Sequence, residues 1–153
     1  MKLSKGKKII ILLMVICLLF GVYNLIWYFT TQVKYSTYSE NMDEFIPNRS
    51  YVLEGEDGYL YNVKYPDYLS FTGNLGVSNN NNEVSIIIWP SIFGEDKYGL
   101  KIDTIDDSYE IIIDREMKAE VSEDDKIIEK YKEEIEKLFQ KADERWNIMD
   151  VDF

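Results

Sequence analysis

The stretch SEDDKIIEKYKEEIEKLFQKADERW, residues 122–146, decides the fold. Ser122 followed three residues later by Asp125 has the form of a capping box, and Glu123, Asp124 and Asp125 put negative charge at the positive end of a helix dipole. Ile127, Ile128, Tyr131, Ile135, Leu138, Phe139, Ala142 and Trp146 then recur at helical spacing and fall on one stripe. Lysines and glutamates fill the rest of the surface. A helix with one broad apolar stripe is stable only when another layer covers it, so the fold turns on what the preceding residues supply.

They supply strands. Tyr51-Val52-Leu53 and the alternating Tyr59, Tyr61, Val63, Tyr65 flank the turn Gly55-Glu56-Asp57-Gly58. Pro66-Asp67 makes the next break. In the following segment Leu69, Phe71, Leu75 and Val77 share one parity, while Ser70, Thr72, Asn74 and Ser78 share the other. The run Asn79 to Asn82 reads as a hairpin loop into Val84, Ile86 and Ile88, and Pro90 ends that strand. Two more strands are expected at Tyr98 to Ile105 and Tyr109 to Val121. The sequence therefore predicts an α+β domain over residues 49–153, an antiparallel β-meander of five or six strands covered by one C-terminal amphipathic helix. Residues 30–48 read as a stalk with a short helix near Ser39 to Phe45.

From Ile9 to Phe29 the chain runs 21 residues with Asn24 as its one strongly polar side chain. Such a helix is about 31 Å long and matches a hydrocarbon core of about 30 Å. Lys2, Lys5, Lys7 and Lys8 all precede it, so the positive-inside rule predicts a cytoplasmic tail over residues 1–8 and a single pass over 9–29, with the remainder outside the cell. Tyr23, Trp27, Tyr28 and Phe29 then fall near the outer head groups. No small-x-small cleavage site follows, and Ile16 before Cys17 argues against a lipoprotein site, so retention of the segment as an uncleaved anchor is expected.

Composition narrows the chemistry. Beyond residue 29 the chain carries 13 basic and 28 acidic side chains, a net charge of −15. That charge repels nucleic acid and anionic lipid and attracts basic protein surfaces. There is no histidine and the single Cys17 lies in the apolar run, so triads, helical zinc motifs and a disulfide within the domain are excluded. Phosphate-cradling glycine motifs are absent from the sequence. Asp106 with Asp107 could serve as paired carboxylates, but they fall in a turn with nothing to raise a pKa. Glu54-Gly55-Glu56-Asp57-Gly58 crowds oxygen ligands without the full spacing of a calcium loop and reads as a hairpin turn. The expectation is a protein without catalytic residues, metal, cofactor or small-molecule substrate.

One pattern points to a partner. If Leu75, Val84, Ile86, Ile88, Leu100, Ile102, Ile111 and Ile113 face the helix, the opposite parity carries Ile87, Trp89, Ile105 and Ile112 among Ser70, Thr72, Asn74, Ser85, Lys101, Asp103, Glu110 and Asp114, a polar, mostly acidic rim. An apolar centre with a polar rim is the anatomy of a protein interface, and Trp is among the residues that most often dominate one. The alternative is that residues 38–53 fold over this face and complete a second core layer. Ile87, Trp89, Ile112, Asp103, Glu110 and Asp114 are the partner-binding residues expected from sequence.

Phe71-Thr72-Gly73-Asn74-Leu75-Gly76-Val77, the Asn-rich hairpin, Ile88-Trp89-Pro90 and the terminal helix ending near Ala142 and Trp146, taken with the N-terminal anchor, resemble the TipC family of immunity proteins over roughly residues 50–149. The resemblance implies binding without catalysis: an anchored domain on the cell surface that shields the producing bacterium from a secreted toxin acting outside its own membrane. The rival reading is an accessory or sensor subunit of a membrane complex, with an extracytoplasmic carboxylate hydrolase third.

Overall fold

A computed structural model describes residues 4–148 except 80, 82, 92, 93, 122 and 123. Helix α1 spans Lys5–Tyr28, and none of its residues is buried. With the turns that continue it to Tyr38, it is long and apolar enough to cross a membrane. A π turn at Phe29–Val33 joins α1 to α2, Lys34–Tyr38, without a break. Thr30 Oγ1 and Thr31 Oγ1 donate to the carbonyls of Ile26 and Trp27 there. The extra residue of a π turn rotates the succeeding helical turns by about 100°. Thr31 and Tyr35 thereby turn inward and are buried in the domain.

The stalk expected at residues 30–48 is thus part of the folded unit. Its helix ends at Tyr38, ahead of the expected Ser39 to Phe45, because Tyr35 and Tyr38 have core partners: Tyr35 packs against Tyr65, and the Tyr38 carbonyl accepts the indole N–H of Trp146. Asp43–Ile46 then forms β1. The sheet continues with β2 Ser50–Glu54, β3 Tyr59–Lys64, β4 Asn74–Asn79, β5 Val84–Trp89, β6 Lys97–Asp103 and β7 Ser108–Ile113. The order is β1 to β7 in sequence, every pairing antiparallel. The meander is as expected, with β1 added; its short length and acidic Asp43 and Glu44 suit an edge that must not recruit further strands.

β6 ends at Asp103, ahead of the expected Ile105, and two other strands are much shorter than their alternation predicts. β4 starts at Asn74, not Leu69, because residues 66–73 turn away to meet α1: Leu69 has φ +66° and Phe71 packs edge-on against Tyr23. β7 stops at Ile113, after which Asp114 to Lys118 make a turn and Ala119 returns to bridge Ile113.

Helix α3, Asp125–Trp146, lies across β4 and β5. Ser122 of the expected capping box lies outside the described residues. The stripe is buried through Ile128, Ile135, Leu138, Phe139, Ala142 and Trp146, with Ile127 and Tyr131 half-buried at its edge. It meets Val63, Leu75, Val77, Val84, Ile86, Ile88, Leu100, Ile102, Ile111 and Ile113 in one core. Phe139 packs on Tyr98 and Trp146 stands edge-on to Tyr61. Asn147, left-handed at φ 49°, closes the helix and donates its N–H to the Asp143 carbonyl.

Candidate functional site: the sheet face opposite the helix

Because side chains alternate, burying one face fixes the composition of the other. The registers place Val52, Asn62, Gly76, Ile87, Gly99 and Ile112 in one row across β2 to β7. Residues 38–53 do not cover this row. They end α2 on the other side of the sheet and then lengthen the sheet through β1 and β2.

Ile87 stands between two glycines, and each lies under a neighbouring side chain. A Cβ at Gly76 would meet the amide of Asn62, and one at Gly99 would stand 2.8 Å from Cη2 and 2.9 Å from Cζ3 of Trp89. The indole therefore lies diagonally across the bare backbone of Gly99, an arrangement in which an aromatic shields a strand glycine. Ile87 and Trp89 are half-buried, and Ile112 on the far side of Gly99 is 47% exposed. The three apolar side chains expected from sequence are thus together around Gly99. Ile105 is not among them; it projects fully from the connection after β6.

The rim carries the expected acids together with lysines that bind or face them. Asp103 accepts from Lys101 Nζ at 2.7 Å and from Ser108 Oγ at 2.5 Å. Those two bonds, the lysine's first, hold its carboxyl below the usual range. Glu110 is exposed directly across from the same Lys101 in register. Lys97 is paired with Trp89 and Lys64 with Ser50. Asp114 sits beyond the end of β7, where its Oδ1 accepts the N–H of Lys118 at 2.9 Å. The border is consequently mixed in charge with acids in the majority, since the parity that carries Lys64, Lys97 and Lys101 also carries Asp43, Glu54, Asp103 and Glu110.

Comparison with protein-family models, curated proteins and solved structures gives no match. Function is therefore to be read from the chain's own residues. Val52, Asn62, Gly76 and Gly99 lie outside the site residues expected from sequence. For Gly76 and Gly99 the signal is a glycine inside a strand, which marks close approach of a neighbour; β2 and β3 carry no such signal at Val52 and Asn62.

The acidic turn between β2 and β3 is used within the fold. Asp57 accepts from the N–H of Tyr59 at 3.2 Å and the hydroxyl of Tyr61 at 3.0 Å, and pairs with Lys141 Nζ of α3 at 3.2 Å. Burial pushes the Asp57 carboxyl up, but these three donors together hold it below the usual value. Burial and the bond to Asp57 push the Tyr61 hydroxyl up to about 12. A depressed carboxyl contributes stability that is complete above its unfolded pKa, about 3.9, and is lost as pH falls through the folded value. Asp57→Asn should cost under about 1 kcal/mol between pH 5 and 7, given partial exposure. The gap between parent and variant should close below about pH 4 in denaturant titrations. A gap independent of pH would show that the carboxylate charge is not what ties this turn to α3. Asp106 and Asp107 lie exposed in the turn that Thr104 Oγ1 closes with the Asp107 backbone. Among the described residues no group of three acidic or cysteine side chains is placed to hold a metal ion.

Proposed function

We propose that this chain is a membrane-anchored immunity protein whose open sheet face binds a secreted toxin and occludes it, without catalysis of its own. The observation that carries the reading is the patch of Ile87, Trp89 and Ile112 around Gly99, on a sheet face that the chain's own edge segments extend instead of cover. A basic toxin domain fits best, because the net charge of −15 beyond residue 29 draws basic proteins. The lysine-rich N-terminus ahead of the apolar helix supports placing the domain outside the cell. The resemblance to TipC immunity proteins agrees with this anatomy.

The first partner to try is a secreted toxin encoded beside the gene for this chain, titrated against the full chain in micelles. The full chain is needed because α1 and α2 are bonded into the domain. Trp89→Ala should weaken the complex by about 2 kcal/mol or more, as for a central aromatic anchor. Ile112→Ala should weaken binding while leaving the melting midpoint near the parent's, since about half of that side chain already meets solvent. Glu110→Gln should slow association and flatten its salt dependence with little change in dissociation. Parent-like affinity in both apolar variants, or no binding by the neighbouring toxin, would remove this face and favour an accessory subunit that recognises partners through its membrane helix.

A further inference from the structure

The apolar helix carries two features that a simple anchor does not need. Asn24 is a strongly polar side chain well inside the span. The loop 66–73, which strand alternation assigns in part to β4, is instead fastened along the helix beside it. Asn24 Nδ2 donates to the Phe20 carbonyl at 2.7 Å, and its Oδ1 accepts the Tyr68 hydroxyl at 2.6 Å. Tyr23 donates its hydroxyl to the Leu69 carbonyl at 3.2 Å, and the Trp27 indole N–H donates to the Ser70 carbonyl at 2.6 Å. Tyr23 meets Phe71 edge-on at 5.8 Å, and Trp27 meets Tyr68 at 5.2 Å.

Helical rise converts these contacts into depth. If the hydrocarbon region begins after Lys8 and is about 30 Å thick, its outer boundary falls near Tyr28 and Phe29, and Tyr23 lies about 9 Å inside Phe29. A loop bonded to Tyr23 and Asn24 then sits within the outer leaflet. Its bonding suits that place. Irregular backbone at membrane depth must be covered by protein, and here the carbonyls of Leu69 and Ser70 are turned onto the helix and bonded to it, leaving side chains to meet lipid. A tight turn, Ser70 N–H to Asp67 carbonyl at 2.8 Å, holds Leu69 at φ +66°. That conformation is costly for a leucine and turns the side chain outward. Leu69 is left 44% exposed and Tyr68 59% exposed, on a loop that runs beside the apolar helix. Arg49 and Asp67, paired at 4.0 Å, stand at its upper end where head groups would lie.

We infer that the loop 66–73 is a second membrane-inserted element, with Tyr68 and Leu69 dipping into the outer leaflet beside α1, so that the domain is held at the bilayer in one fixed orientation instead of swinging on a stalk. The occupant of this surface is lipid, and the inference rests on the reading of α1 as a membrane anchor.

The test uses the full chain with Cys17→Ser, reconstituted in phosphatidylcholine vesicles, carrying one environment-sensitive fluorophore on a single introduced cysteine. Phe20→Cys reports the span, Leu69→Cys the loop tip, and Asp107→Cys the far end of the strands. Nitroxide-labelled lipids with the spin label near the head group or deep in the acyl chain act as quenchers. Position 20 should lose most of its emission to the deep quencher, position 69 to the shallow one, and position 107 to neither. Tyr68→Cys provides a second loop reporter should position 69 disturb the turn, and it should behave as position 69 does. Quenching at 20 with none at 69 or 68 would overturn the inference while leaving the anchor. No quenching at 20 would overturn the anchor and the inference with it.

Discussion

Leu138→Ala is expected to cost about 2–5 kcal/mol of folding stability, because the side chain is fully buried and its removal leaves a cavity between α3 and the sheet. The position lies at the middle of the stripe, beside Phe139 and one turn from Ile135, all in the same core. Neighbours held by a hydrogen-bonded sheet on one side cannot close fully over the missing atoms, which places the loss toward the upper part of that range. Glu133→Ala, on the exposed side of the same helix, should leave stability essentially unchanged. Denaturant titrations of the full chain in micelles, followed by the near-ultraviolet signal of the packed aromatics, measure both. Equal small effects would mean that α3 does not dock on the sheet in solution.

The helix stripe and the meander were legible because each is written in a period, 3.6 for Ile127 to Trp146 and 2 for strands such as Val84 to Ile88. Burial followed from period alone: every residue expected to face α3 from β4 to β7 is in the core. What sequence misplaced was set by partners far along the chain. Leu69 and Phe71 continue the parity of Leu75 and Val77, and local alternation reads them as strand. Tyr23, Asn24 and Trp27, more than forty residues earlier, pull them out of it. Residues 30–48 looked like a linker because Tyr35 and Tyr38 lack a clear period, yet a single π turn is enough to aim Tyr35 into the core. The apolar half of the candidate site followed from parity. Parity also put Lys101, Asp103 and Glu110 on its rim, but it says nothing of which carboxylate the lysine will hold.

The junction between helix and sheet yields the second large effect. Gly73→Ala is expected to destabilise the domain by about 3 kcal/mol, at the upper end of what overpacking usually costs. The glycine is buried, and an added Cβ would overlap the Lys64 carbonyl oxygen and stand 2.7 Å from Tyr35 Cε1 and 2.9 Å from the Pro66 nitrogen. Two of those three neighbours are backbone at the end of β3, so relief requires moving either the β3–β4 pairing or the helix that carries Tyr35. Tyr35 also accepts the Gly73 N–H at 2.9 Å through its hydroxyl. Tyr35→Phe alone should therefore cost about 1–3 kcal/mol, the penalty of a buried N–H left without its acceptor. The double variant should fall short of the sum, because a helix already displaced by the new methyl has lost that hydrogen bond. Thr72→Ala, one residue away and exposed, is the control and should be near neutral. Thermal and denaturant unfolding of the parent and these variants, with limited proteolysis between Tyr38 and Asp43 as a readout of α2 docking, gives the result. Parent-like stability in Gly73→Ala with no new cleavage would show that α2 does not pack against the start of β4, and the helix would then be a tether to the domain instead of part of it.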